Sequence, residues 1–319
     1  MMKALVRDKY GDPGVLRVEE VSKPTLEDDR VLVRVRASSI NKADWYGLLG
    51  RPVFARPMMG GIRKPRSRQV GTDCAGVVEA VGKDVDGFAV GDEVFGGGAG
   101  AYAEYVLAKM LAHKPANVTF EAAGSVGIAG LTALQALRDH GSLQRGERVL
   151  VNGASGGVGT MTVQIAKALG GHVTAVCSTR NVDRVRELGA DRVIDYTRED
   201  FTRTGDRYDV VIDVAGSRPW HALRRVLAPG ARVVIVGAPS GTPFLGPLGH
   251  IVAKKLGSLG KARFFVAKFK KEDLETLAGF LESGALTPAI DETYDLDHAP
   301  AALKAFGEGH VRGKLVLTM

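Results

Sequence analysis

The stretch Gly146–Lys167, GERVLVNGASGGVGTMTVQIAK, constrains this chain more than any other. A charged start gives way to the apolar run Val149-Leu150-Val151. The glycine-rich turn Gly153-Ala154-Ser155-Gly156-Gly157-Val158-Gly159 follows, and then an apolar-periodic segment. A turn of this kind between a strand and a helix is where a phosphate-binding loop belongs. Gly156 and Gly157 have no Cβ, so backbone can approach a pyrophosphate closely. The free N–H groups and the positive dipole end of the helix then face the anion. Gly159 lets helix and strand pack tightly. These residues predict a dinucleotide site built from Ala154, Ser155, Gly156, Gly157 and Val158; a glycine turn without a ligand is the alternative.

The flanking sequence agrees. From about Glu121, predicted strands at 148–152, 172–177, 192–195, 208–214, 231–236 and 263–266 alternate with helices at about 158–169, 182–188, 220–227 and 248–259. That rhythm predicts an α/β fold, a doubly wound parallel sheet of Rossmann type. Earlier residues give short strands at 2–6, 15–19, 30–37, 70–82, 91–96 and 101–106 with few helices, which predicts a small β-barrel or sandwich. A chain of 319 residues exceeds what one core usually serves, so two domains are expected. Two cysteines, Cys74 and Cys177, exclude a disulfide scaffold and suit a reducing, cytoplasmic compartment. The longest uncharged stretch, 233–253, contains Pro239, Pro243 and Pro247, so no membrane span is expected. Net charge is +7, yet the dense basic run Arg63–Arg68 lacks interleaved aromatics. It reads as a solvated loop, with no nucleic-acid partner.

The second strand of the α/β region ends in Ser178-Thr179-Arg180-Asn181, with no acidic residue to hold a ribose diol. Arg180 can pair with a 2′-phosphate while Ser178 and Thr179 donate hydroxyl bonds, which favours NADPH. The same residues could instead cap the next helix.

Gly146-Glu147, Leu150, Ala154-Ser155-Gly156-Gly157, Gly159, Gln164 and Lys167 stand at the spacing of the signature of the quinone oxidoreductase/ζ-crystallin group, within the medium-chain dehydrogenase/reductase superfamily. Gly71–Val78 and Gly91–Gly96 resemble its GroES-like barrel, and Gly313–Leu317 its closing strand. The resemblance covers nearly the whole chain. It implies a GroES-like β-barrel catalytic domain over residues 1–120, completed by 285–319, and a Rossmann NADP-binding domain over 121–284 with the cofactor in the cleft. It also implies a homodimer. Asn41, Asp44 and Tyr46 resemble the family's N-x-x-D-x-Y active-site segment. On that basis Tyr46 and Asn41 hydrogen-bond a substrate carbonyl and Asp44 organises the loop, although Tyr46 also suits a packing role.

By position, Thr132 resembles a nicotinamide contact and Tyr196 a contact near the adenosine 2′-phosphate. Val236, Gly237, Phe265 and Val266 resemble strand ends at the nicotinamide, and Lys314 a further cofactor contact. Each could equally be sheet-end packing. Phe54, Met58 and Met59 could wall the substrate pocket or fill solvent-facing space. The superfamily's zinc-dependent members need a cysteine, a histidine and a second cysteine. Here Ser39 or Asn41, Thr72 and Val126 occupy those regions, so no metal is expected. Without a Lewis acid, hydride acceptors that delocalise charge themselves, quinones and α,β-unsaturated carbonyls, suit the site better than unactivated alcohols. An NADP-linked alcohol or aldehyde dehydrogenase that borrows a metal is one alternative. A nucleotide-binding protein with little turnover is another.

Overall fold

The alternation in Arg30–Ala37 is realised as strand β3 (Val31–Ser39), where Arg34 and Arg36 point outward and Val33, Val35 and Ala37 are buried. The computed structural model describes residues 1–57, 61–237, 248–258 and 260–319. In chain order the other strands up to residue 113 are β1 (Met2–Val6), β2 (Arg17–Val21), β4 (Asp73–Val81), β5 (Glu93–Gly97), β6 (Tyr105–Ala108) and β7 (Met110–His113). Then come β8 (Arg148–Asn152), β9 (His172–Cys177), β10 (Arg192–Asp195), β11 (Tyr208–Asp213), β12 (Leu227–Ile235) and β13 (Ala262–Phe264). The chain closes with β14 (Ile290–Asp295) and β15 (Lys314–Thr318).

Two compact units result. One comprises Met1–Leu131, Phe269–Gly284 and Ile290–Met319; the other comprises Thr132–Lys268 and Ala285–Ala289. In the first, a sheet runs β14-β15-β3-β4-β5-β7, with β6 also on β3, and β1 and β2 pair separately. Apart from the parallel β14–β15 pair, the ladders are antiparallel. This is the GroES-like barrel architecture. The last strand, β15, pairs Val316 with Ser39 and Thr318 with Ala37.

The second unit is an all-parallel sheet in the order β10-β9-β8-β11-β12-β13. Counted from β8, that is 3-2-1-4-5-6, the Rossmann order. Its core gathers Leu150, Val176, Ile194, Phe201, Val211 and Ile235 from successive strands and their crossovers. Burying each such side chain is worth about 1.5–3 kcal/mol.

The unit boundaries differ from those expected. Residues 121–131 and helix Lys271–Glu282 fall in the first unit. The helix buries Leu274, Leu277 and Leu281, Leu277 lies against Gly130, and Asn117 Nδ2 donates to the Glu282 carbonyl at 2.9 Å. An amphipathic stripe looks the same whichever sheet it covers, so the sequence carried no sign of this. Conversely, Ala285–Ala289 joins the second unit because Gln164 grips Thr287. Its Nε2 donates to the Thr287 carbonyl at 3.0 Å, and its Oε1 accepts from the Thr287 amide at 2.9 Å. Lys167, the other polar signature residue, pairs with Asp191 at 2.7 Å.

Candidate active site

In the second unit the β-ladders hold the strand ends level: Asn152 faces Val176, Cys177 faces Asp195, Asp213 faces Asn152, and Ile235 faces both Asp213 and Phe264. Gly153–Val158, Ser178–Arg180, Tyr196, Val236–Gly237 and Phe265–Val266 therefore all leave the same edge of one sheet. That edge is where open α/β sheets bind ligands. Gly156 is the N-cap of helix Gly157–Ala168, whose first amides have no intrahelical acceptor. A Cβ placed on Gly156 would find nothing nearer than the Gly153 carbonyl at 4.0 Å, so the backbone there is bare. A Cβ on Gly159 would lie 2.1 Å from that carbonyl, which is why only glycine allows helix and turn to meet. Ala154 is fully buried, with its amide on the Val176 carbonyl at 3.0 Å. It supports the turn from below, while half-buried Ser155, Gly156, Gly157 and Val158 form its surface. These residues fit a diphosphate.

The turn after β9 is more acidic than its own sequence shows. Asp195, at the end of β10, accepts from Thr179 Oγ1 at 2.6 Å and from the Thr197 amide and hydroxyl at 3.0 and 2.8 Å. The Thr179 hydroxyl bond holds its carboxyl below the usual carboxylate range. Thr179 was expected to donate to a phosphate, but its proton is committed to Asp195. Arg198 Nε lies 3.4 Å from the same carboxylate. Ser178 Oγ accepts from buried Asn181 at 3.0 Å, Arg180 is exposed, and Tyr196 is 54% exposed. Val236 and Gly237 are half-buried, both amides on the Asp213 carbonyl. Phe265 stacks on His140 with ring centres 4.2 Å apart, and Val266 is exposed. Thr132, half-buried on helix Gly127–Gln135, opens the second unit.

Sequence reasoning missed the brace behind this edge. Buried Asp213 accepts from Lys254 Nζ at 2.5 Å and Asn152 Nδ2 at 2.7 Å. The two charges compensate each other where neither could be buried alone.

In the first unit, the active-site segment forms helix Lys42–Leu49, with Asn41 as N-cap and Asp44 at the third position. Asp44 Oδ2 accepts from the Asn41 amide at 3.0 Å, the reach-back bond of a capping box. Gly50 ends the helix at φ 61°, where a side chain would be strained. Asn41 is 5% exposed and entirely occupied. Its Nδ2 donates to Asp73 Oδ2 at 2.7 Å and to the Ser39 carbonyl at 3.2 Å, and its Oδ1 accepts from Lys314 Nζ at 2.6 Å. Both amide hydrogens are spent, so the expectation that Asn41 donates to a substrate carbonyl is corrected: it positions.

Lys314 was expected at the cofactor. It is 3% exposed, bonded to Asn41 and to the Ile40 carbonyl at 3.1 Å, and 3.9 Å from Asp73. Burial lowers its pKa, against the pull of Asp73 and Asp44. Asp73, which sequence reading passed over, is the hub. It also accepts from Ser39 Oγ and the Ile128 amide, each at 2.8 Å.

Asp44 accepts from Thr72 Oγ1 at 2.8 Å and from the buried Tyr102 hydroxyl at 3.0 Å. Burial, with the Asp73 charge behind it, pushes its carboxyl up to about 6. Tyr46 is half-buried, and its hydroxyl is shielded from solvent with no hydrogen-bond partner among the described residues. A cavity of about 500 Å³ in this unit is lined by Arg7, Asp44, Gln69, Thr72, Gly98 and Phe269 among others. Phe54 is 50% exposed; Met58 and Met59 lie outside the described residues.

Comparison with known proteins identifies the family. Residues 27–118 match the family model of the alcohol dehydrogenase GroES-like domain, and 188–317 that of zinc-binding dehydrogenases. The chain is 34% identical over 340 residues to the chloroplastic quinone-oxidoreductase QR1 of Triphysaria versicolor, covering 99% of this chain and 98% of that one. It is 33% identical to the 2-methylene-furan-3-one reductase of Solanum lycopersicum, over 99% of this chain and 79% of that one. The solved quinone oxidoreductase from Coxiella burnetii superposes with a TM-score of 0.86 at 30% identity, covering 100% and 99% of the two chains. The chain belongs to the quinone oxidoreductase group of the medium-chain dehydrogenase/reductase superfamily.

As a member of that group it is an oxidoreductase of a nicotinamide-coenzyme family. One matching family model is named for zinc, and the residues that the resemblance puts in the metal regions do not fit that ion. Ser39 and Thr72 give their hydroxyls to Asp73 and Asp44, and Val126 is fully buried. Burial pushes the thiols of Cys74 and Cys177 up to about 12 and about 11. Among the described residues no three of His, Cys, Asp and Glu converge. No helix among them is long and apolar enough to cross a membrane.

Proposed function

We propose that this quinone oxidoreductase-group protein reduces quinones or α,β-unsaturated carbonyls with NADPH, without zinc, and with Tyr46 as proton donor. The observation that carries the reading is the contrast within one helix and its cap. Asn41, Asp44 and Thr72 are committed to one another and their neighbours, whereas the Tyr46 hydroxyl is dry and unpartnered among the described residues. A phenol that has lost water without gaining a bond is costly, and an incoming carbonyl oxygen relieves that cost.

The glycine turn Gly153–Val158 would hold the coenzyme, which would supply the hydride. Tyr46 hydrogen-bonds the acceptor oxygen and gives up its proton as negative charge grows there. Asn41 and Lys314 hold the helix start so that Tyr46 is presented in one orientation. The NADPH preference is supported by Arg180 and Arg198, which follow the β9 and β10 ends, and opposed by the Asp195 carboxylate beside Thr179 and Arg198. The tomato relative, named for a 2-methylene-furan-3-one, supports an enone acceptor.

Coenzyme absorbance, followed with a panel of quinones and enones, tests the reading. NADPH is oxidised faster than NADH, with no loss on chelation. Tyr46→Phe lowers kcat about 10²-fold while coenzyme Kd holds. An unchanged kcat, or no turnover with any acceptor, overturns it.

A further inference from the structure

The first unit holds a cation that hydride transfer does not use. Arg7 follows β1 and is 7% exposed. Its Nη1 donates to the Gly47 carbonyl at 2.5 Å, and its Nε is buried with no hydrogen-bond partner among the described residues. Among the described residues the guanidinium, which has five N–H donors, makes this one hydrogen bond. The carboxylates near it are spent elsewhere. Asp8 pairs with Arg17 and Arg68, and Asp44, on the same cavity wall, takes three donors from Thr72, Tyr102 and the Asn41 amide. The Tyr10 ring carries Arg7 at 5.3 Å on its centroid and a second guanidinium, Arg56, at 4.7 Å, so the surroundings add positive charge. Burial lowers the pKa of Arg7, against the pull of Tyr10.

The cavity that Arg7 lines, about 500 Å³, has Ser67, Gln69 and Thr72 on its wall and is of a size that suits a small organic ligand. We propose that Arg7 in this cavity is a subsite for a carboxylate carried by the acceptor, so that acidic enones are preferred to their neutral esters. A carboxylate there supplies the missing counter-ion and accepts charge-assisted bonds from the guanidinium. The inference rests on the first unit being where the acceptor binds.

The test compares one enone carrying a terminal carboxylate with its methyl ester. In the wild type the acid shows about tenfold higher kcat/KM than the ester. Arg7→Met collapses that ratio to about one, and Arg7→Lys, which keeps the charge, retains part of it. An acid-to-ester ratio near one in the wild type, or an unchanged ratio in a folded Arg7→Met, overturns the subsite. If neither compound is reduced, the acceptor reading fails by itself, and benzoate still probes the subsite. The wild type gains thermal stability with benzoate, and this gain is lost in Arg7→Met or Arg7→Gln. No gain in the wild type refutes the proposal.

Discussion

Asp44 offers a prediction whose size follows from its surroundings. Its carboxyl is raised from an ordinary 3.8 to about 6, chiefly by burial and then by the Asp73 charge. A carboxyl that holds its proton more tightly in the folded than in the unfolded chain costs stability as pH rises through that window. Below 3.8 both states are protonated and the cost is nil. Above 6 the folded protein bears it in full, about 3 kcal/mol for a shift of roughly 2 units. Between about pH 4.5 and about pH 7.5 the cost grows by about 2 kcal/mol, or about 1–2 kcal/mol once partial exposure is discounted. Asp44→Asn keeps an oxygen acceptor and cannot ionise, so this pH-dependent cost vanishes. Bonds lost from the oxygen that becomes an amide nitrogen, among those to Tyr102, Thr72 and the Asn41 amide, lower its stability by an amount that does not vary with pH. Urea unfolding of both proteins across this range reads the difference. The stability gap should move by about 1–2 kcal/mol in favour of Asp44→Asn as pH rises. Parallel curves would refute the burial argument, and a gap moving the other way would mean that Asp44 is stabilised as an anion.

Other outcomes follow from individual contacts. Lys314→Met strands buried Asp73 and the Asn41 oxygen without their cation, so unfolding free energy should fall by about 3–5 kcal/mol, read by calorimetry. Arg180→Glu should weaken NADPH binding at least about tenfold while sparing NADH, measured by coenzyme fluorescence titration; equal losses would remove it from the 2′-phosphate. Gly159→Ala puts a Cβ against the Gly153 carbonyl, costing about 1–3 kcal/mol and loosening coenzyme binding, as thermal melts with and without NADPH would show.

What could be read from residues alone was what repeats or punctuates locally. The strand–turn–helix around Gly156 and the alternation along β3 are written in short continuous stretches, and a parallel sheet of Rossmann type followed from the strand–helix succession. Strands β7 and β14 escaped because Met110–His113 and Ile290–Asp295 are short or polar and take their place by pairing with distant partners. The site divides in the same way. Tyr46 and Asp44 could be singled out because their segment resembles the family's N-x-x-D-x-Y motif. That Lys314 binds Asn41, 273 residues away, could not. Nor could Asp195 beside Thr179: neighbouring strands place them together, and the β9 turn by itself shows no acid. Arg7 looks like an ordinary polar residue at a strand end; only the packed structure shows its Nε buried with no hydrogen-bond partner among the described residues.

The way β15 enters the first sheet bears on how the chain is made. During synthesis, residues 132–268 leave the ribosome as nearly the whole parallel-sheet unit, needing only Ala285–Ala289 to be complete. The sheet that began earlier must wait for Lys314–Thr318 to lie along β3. Until then Asp73 and Asn41 face a gap where the ammonium belongs, so a lysine made 273 residues after Asn41 locks their side of the site.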